Sequence, residues 1–565
     1  MFEFVQNIFS FNQESPLTFT GKEFWLFYLV VFFGLCLVHK RLNLRSLFLF
    51  AVSLFFYFKT SGFFFLILIF STLVDFFIGK AIEKSNKELN RKLWLTLSVI
   101  SNLGILVYFK YSYFFADFIN DMAGTDIQVV DYLAQWSNQF TGSTFRIDKI
   151  LLPVGVSFYT FQTISYSVDV YRRKIKAVKN IFDFGFYVSF FPQLVAGPIV
   201  RAADFIPQIY KPFKLTKVQF GMAVFWILNG LLKKMVIGDY LANNFIDKVF
   251  ENPLLFSGLE NLFALYAYSL QVYLDFSGYT DIAIGIAALM GFKLPVNFNS
   301  PYKASSLSGF WHRWHISLSG WLKDYLYIPL GGNREGTFGS YIMIGVICAF
   351  VVLLFGELWL FGIFAAIAIS IIVFCMLFPS FKKQIDTNIN LIITMLLGGL
   401  WHGASWNFVI WGALNGFGLI VSKFWKKISP YRNSKLWVTH AWKVFLTFNF
   451  ITFTRVFFRA GSNLHQNPKE ANDIALERAE NMLVKIGTDM DLSIFGTFLY
   501  SYRMVLILMM IGFVVHWLPS SWKTWYKHTF VRMPVVLKVL VVVAVVFVII
   551  QTMSADKQPF IYFQF

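Results

Sequence analysis

Cysteine is nearly missing from this chain: Cys36, Cys348 and Cys375 are the only three in 565 residues, all in or beside apolar runs. Their scatter excludes a disulfide framework and any zinc spacing, and leaves buried free thiols. Charge is scarce too. Asp, Glu, Lys and Arg make up 14% of the residues, against about 25% in a soluble domain. With 57% hydrophobic residues, that balance excludes a soluble globular protein and gives an all-α polytopic membrane protein built as one bundle. No HExxH pattern is present, and no Gly-x-Ser-x-Gly elbow that would support a serine-hydrolase triad. No internal repeat appears, which removes one mark of a transporter. No lysine precedes Lys22, while Glu3 and Glu14 do, so a cleavable signal peptide is not expected. The run from Phe24 to Val38 should remain as a membrane helix.

Where charge does occur, it orients the chain. The formal net charge is +18, and the positive-inside rule accounts for it. No soluble segment is large enough to present a basic face to nucleic acid. Basic clusters at His39 to Arg45, Lys80 to Lys92 and Arg172 to Lys179 alternate with an acidic loop at Asp117 to Asp131. This puts both termini outside the cytoplasm and the basic loops within. Roughly a dozen spans are expected, each needing about 20 apolar residues. The run Phe182 to Ile199 has basic residues on both sides and ends on Pro192 and Pro198. It reads as a re-entrant segment, tolerated at membrane depth only when buried in protein or lining a cavity. Residues 300–333 mix aromatic and charged side chains and read as an amphipathic helix at, or dipping below, the interface. An acidic loop at 461–492, helical over 468–484, is expected outside the cytoplasm.

Few residues are fit for chemistry. His402 lies in the glycine-rich run 396–406, LLGGLWHGASW. An ionisable side chain at bilayer depth is costly and marks a candidate functional site. Gly398, Gly399 and Gly403 leave room beside the ring, and Trp401 and Trp406 flank it. The plainer alternative is a histidine that hydrogen-bonds a neighbouring helix. His312 and His315, three apart, are expected on one helix face. No Cys/His cluster supports a metal there, so proton transfer is the better use: a neutral imidazole takes a proton from an attacking hydroxyl. Asp275 and Asp281 lie in an apolar helix, about 120° apart around it, with Asp275 and Tyr279 on one face. Tying helices together by hydrogen bonds explains them as well as catalysis does.

Several motifs together resemble the membrane-bound O-acyltransferase (MBOAT) family, in its bacterial alginate O-acetyltransferase branch. They are PVGVSFYTF at 153–161, QLVAGP at 193–198, DFSGYTD at 275–281, NFNSPY at 297–302, FWHRWHIS at 310–317, LYIPLGGNR at 326–334 and GLWHGA at 399–404. The resemblance runs from about residue 20 to the C-terminus. It implies a ring of helices with re-entrant and interfacial elements around a central funnel, as a single domain over 1–565. The catalytic core would lie at about 90–425 and the C-terminal helices at 440–565. It implies His402 as the catalytic histidine, with His315 as the second family position, binding or polarising the donor or assisting proton transfer. Asp275, Ser277, Tyr279, Asp281, Trp401 and Asn407 would support the chamber. No metal and no bound cofactor are implied. The donor would be acetyl-CoA.

The function that follows is a multi-pass bacterial inner-membrane acetyltransferase that moves acetyl groups outward for O-acetylation of a polysaccharide such as alginate. An extracytoplasmic partner of the SGNH or esterase-like kind would complete the transfer. The aromatic tail 558–565 makes Tyr562 a possible acyl carrier, with an interfacial anchor as its alternative. Two other readings stand beside this one. The first is a transporter or polysaccharide-export component using buried Asp and His. The second is an MBOAT with another acyl group or acceptor, such as D-alanyl, peptidoglycan or protein.

Overall fold

A computed structural model describes residues 11, 16–141, 147, 150–195, 197–355, 358–462, 468–552 and 560. Helices carry the whole architecture, and no strand occurs among the described residues. Among the described residues, seven helices are long and apolar enough to cross a membrane, or eight if the bent pair Phe495–Ser501 and Arg503–Trp517 is one span. The expected dozen is not reached by this measure because other long helices are short of apolar length or broken by charge. Lys22–Val38 has 17 residues, and Trp437–Ala460 carries Lys443, Arg455 and Arg459.

The hub is Gly258–Leu289, 32 residues long, or about 48 Å. Ser257 starts it: its hydroxyl accepts from Glu260 N while the Glu260 carboxylate reaches back to the Ser257 backbone, a reciprocal cap. Nearly all of the helix is buried, from Ala264 through Leu289, so each polar side chain on it must find a partner within the protein. Lys217–Leu231 packs along it almost backbone to backbone. A Cβ at Gly230 would come within 2.4 Å of the Gly278 carbonyl, and one at Gly285 within 2.6 Å of the Ala223 carbonyl. Small residues at such crossings are how membrane helices approach closely.

Pro379–His402 and Trp406–Ile428 form a second such pair. A Cβ at Gly399 would lie 2.3 Å from the Phe408 carbonyl and 3.1 Å from Gly412 Cα. Neither partner is a side chain able to swing aside. Gly399→Ala is therefore expected to destabilise the protein by about 1–3 kcal/mol, the cost of overpacking, seen as a lower melting temperature in detergent. An unchanged melting temperature would mean that the two helices separate freely.

The segment read as re-entrant is too short to span as a helix. Ile181–Ser189 has 9 residues, about 14 Å, less than half of a hydrocarbon core about 30 Å thick. Its chain is buried from Asp183 to Val195. Residues 300–333 depart from the amphipathic-helix expectation. They fold as short helices, Leu307–Trp311 and Ile316–Leu322, followed by a π turn at Lys323–Tyr327. Trp314, His315 and Trp321 are buried while His312, Lys323 and Ile328 are exposed, so this stretch runs between the surface and the interior. The acidic loop holds Pro468–Thr488, which seats Ala471, Ala475, Ala479 and Met482 on one buried face. Gly258 N donates to Asp489 O at 2.7 Å, which ties this helix to the start of the hub.

Candidate active site

His402 is the last residue of the Pro379–His402 helix. The chain then turns sharply through Gly403 to Ser405, whose hydroxyl caps the next helix by accepting from Asn407 N. A Cβ at Gly403 would meet the Phe408 ring at 2.2 Å. The glycines of this run thus serve packing rather than space beside the imidazole. Gly399 and Gly403 face the following helix, and Gly398 faces Leu322. The ring itself is caged by aromatic side chains. Trp401 lies at 5.0 Å, Phe458 at 5.1 Å and Trp411 at 5.2 Å between centroids, each edge-on. Trp406 turns away from the imidazole, onto Phe114 at 5.0 Å.

A cavity borders His402. Its walls include Phe276 from the hub, Trp311 and Trp314 from the broken stretch, Trp411, and Arg455 and Phe458 from Trp437–Ala460. It holds about 20 Å³, room for about one water. Arg455 and Phe458 lie beyond residue 425, so the wall draws on both the expected core and the C-terminal helices. Arg455 brings a cation to this space: its guanidinium lies 4.4 Å from the Trp314 ring and 5.4 Å from the Tyr302 ring, and it donates to Ser269 O at 2.8 Å. The aromatic faces and the carbonyl together stabilise the buried charge.

His315 sits next to this cage without lining the cavity. Its backbone is left-handed, φ 44° and ψ 54°, at the start of Ile316–Leu322. Non-glycine residues adopt this region uncommonly, and such strain gathers at active sites. Asn297 holds it there: its carbonyl accepts from Ile316 N at 2.9 Å, and its side-chain oxygen accepts from Ser317 N and Oγ at 3.0 and 2.9 Å. The His315 ring packs edge-on to Phe276 at 4.6 Å and to Trp401 at 6.0 Å. His312 does not share its face. The helix breaks between them, leaving His312 exposed with its Nδ1 2.6 Å from Ser308 O.

The two aspartates are engaged in ion pairs. Asp275 meets Lys234 at 2.5 Å, and Lys234 also meets Asp239 at 2.6 Å. Asp281 accepts from Lys233 and Asn229, each at 2.7 Å. These bonds join the hub to Lys217–Leu231 and the π turn Leu232–Gly238, as the helix-tying alternative requires. Tyr279 accepts from Phe19 N at 3.4 Å and stacks on Phe19. Ser277 and Asn407 are fully buried. Tyr562 lies outside the described residues. Phe560, two positions before it, is buried, stacks on Tyr279 at 4.3 Å and lies 5.7 Å from Phe276. Arg455, Lys233 and Lys234 escaped the sequence reading, although each is a charge inside an apolar run and was open to the argument made for Asp275.

Comparison with known proteins gives the family. A sequence model described as "MBOAT, membrane-bound O-acyltransferase family" matches residues 17–376. The matched span takes in Asp275 and His315 and stops short of His402. The probable alginate O-acetylase AlgI of Azotobacter vinelandii is 36% identical over 412 residues, 72% of this chain and 69% of that protein. The peptidoglycan O-acetyltransferase of Helicobacter pylori is 31% identical over 529 residues, 86% of each. The teichoic acid D-alanyltransferase of Bacillus subtilis is 26% identical over 324 residues, 56% of this chain and 70% of that protein. With its helical membrane architecture, its matched family span and these relatives, the chain belongs to the membrane-bound O-acyltransferase family and is an O-acyltransferase.

Proposed function

We propose that this protein transfers an acetyl group from cytoplasmic acetyl-CoA, across the inner membrane, to a hydroxyl of an extracytoplasmic polysaccharide. The observation that carries the reading is His402: a caged imidazole bordering a cavity whose other wall holds the Arg455 guanidinium. An imidazole nitrogen takes the proton of the attacking hydroxyl as its oxygen forms a bond to the thioester carbonyl carbon. The C–S bond breaks, and the proton passes to the leaving thiolate. Arg455, in the cavity lining, would stabilise the oxyanion that develops on the carbonyl oxygen. The aromatic walls keep bulk water from the thioester. The cavity admits a water but not an acetyl thioester, so the ring side chains must swing aside as the donor arrives.

The acetylases among the relatives favour acetyl over other acyl groups, and their names point to alginate or peptidoglycan as acceptors. The final carrier, on this reading, is a soluble partner of the SGNH or esterase-like kind, with Tyr562 as a candidate relay. The test is acetyl transfer in vesicles holding the purified full-length protein. Radiolabelled acetyl-CoA is supplied on one face, and alginate oligomers or peptidoglycan fragments, with the candidate partner, on the other. Covalent label on an acceptor is expected. Label that crosses without becoming covalent would instead reveal a transporter, and no label on any acceptor would reject the acetyl assignment.

A further inference from the structure

A helix leaves its last carbonyl groups without partners inside the helix, and here the last three belong to Leu400, Trp401 and His402. Two consecutive residues of a neighbouring helix supply those partners. Tyr111 Oη donates to Leu400 O at 2.6 Å. Lys110 Nζ donates to Trp401 O at 2.7 Å and to His402 O at 2.9 Å. The same ammonium lies 6.0 Å from the Trp401 ring, with Ser157 Oγ at 3.5 Å. None of these partners is a carboxylate. A lysine placed in a long apolar helix, Glu88–Ala123, and spent on backbone carbonyls needs a reason, since intramembrane charge is costly.

Local backbone geometry supplies part of that reason. Lys110 and Tyr111 lie in a π turn, Val107–Tyr111. In a regular α-helix, neighbours point about 100° apart, yet both of these side chains reach the end of one helix. π turns are rare and often mark functional sites. The charge also has the right sign, because the C-terminal end of a helix is partly negative. What it holds is the backbone from which the His402 ring springs, just before the turn at Gly403.

We propose that Lys110 is a positioning residue for acyl transfer: its ammonium clamps the Trp401 and His402 carbonyls and thereby fixes where the His402 imidazole points in the cavity. This rests on the reading of His402 as the reacting base. Full-length protein in vesicles is the material for the test, with Lys110→Met and Lys110→Arg compared. Lys110→Met keeps the apolar stem and removes the cation. Its kcat per folded molecule is expected to fall about 10- to 100-fold, the scale of a reacting group displaced by an ångström, with KM for acetyl-CoA unchanged. Lys110→Arg should restore most of the rate. Nitrogen chemical shifts of labelled histidine provide a readout independent of turnover: the His402 signal should shift or broaden in Lys110→Met and return in Lys110→Arg, while His312 stays put. A wild-type kcat with an unmoved His402 signal would overturn the clamp. So would a loss that appears as lower melting temperature with no rescue by arginine. Wild-type protein that transfers no acetyl group would count against the proposed function alone, since the histidine signals still decide the clamp.

Discussion

Acetyl transfer by the His402→Ala variant is expected to fall by about 10²- to 10⁴-fold, the usual contribution of a positioned acid or base, with the protein still folded and inserted. The fold should survive because the ring ends a helix. The turn after it depends on Gly403 and Ser405, and the helix is held to its neighbour through Gly399 and Gly412. Truncation does enlarge the cavity beside Trp411 and Phe458, so His402→Gln belongs in the same experiment. It fills more of the space and lacks a nitrogen able to carry the proton, and it should lose transfer as completely. Labelled acetyl-CoA in vesicles gives the rate, and size-exclusion in detergent gives the folded fraction. If both variants keep wild-type transfer, the imidazole has a structural role, as in the plainer alternative of a histidine that hydrogen-bonds a neighbouring helix. His315→Ala should behave differently. That ring touches Phe276 and Trp401 rather than the cavity, so its loss acts by loosening the walls.

The sequence singled out candidate residues more readily than it showed how they are arranged. His402 stood out because an imidazole inside a run of leucine and glycine needs a physical explanation. Asp275 and Asp281 stood out for the same reason, and the helix-tying alternative kept for them is the one their ion pairs support. What could not be read was geometry fixed by pairs far apart in the chain. His312 and His315 looked like one helical face because their spacing is right. Only the contacts of Ile316 and Ser317 to Asn297, 19 and 20 residues earlier, reveal the break that turns His315 inward. The glycines beside His402 suggested open space because a sequence does not say which side of a helix a missing side chain faces; the close approach of Gly399 to Gly412 decides it. The lysines that pair with the aspartates lie some 40 to 50 residues away, inside a run that reads as an ordinary span. Arg455 was hidden the same way. A count of apolar residues absorbs a single charge, whereas the folded protein must accommodate it.

The largest effect on stability is expected at one of those lysines. Lys234 is buried and bridges two carboxylates, Asp239 at 2.6 Å and Asp275 at 2.5 Å. The trio is one cation and two anions. Lys234→Met removes the cation and leaves two carboxylates facing each other, whereas Asp275→Asn leaves the Lys234–Asp239 pair intact. Breaking a buried pair by removing one partner costs about 3–5 kcal/mol, and Lys234→Met, which strands both anions, should lie at the upper end. Asp275→Asn should cost distinctly less, because a neutral amide still accepts a hydrogen bond from the ammonium. The order of melting temperatures in detergent should therefore be wild type, then Asp275→Asn, then Lys234→Met. Adding Asp239→Asn and Asp275→Asn to Lys234→Met should recover part of the loss by removing both stranded charges. A Lys234→Met protein that melts with the wild type would show that these carboxylates find other compensation. The consequence reaches the active site along one helix: Asp275 is the neighbour of Phe276, whose ring borders the cavity at His402 and packs on His315. Releasing the hub from Lys234 should thus lower transfer even among molecules that remain folded, and comparing the rate per folded molecule for Asp275→Asn and Lys234→Met measures how firmly that ion trio sets the cavity wall.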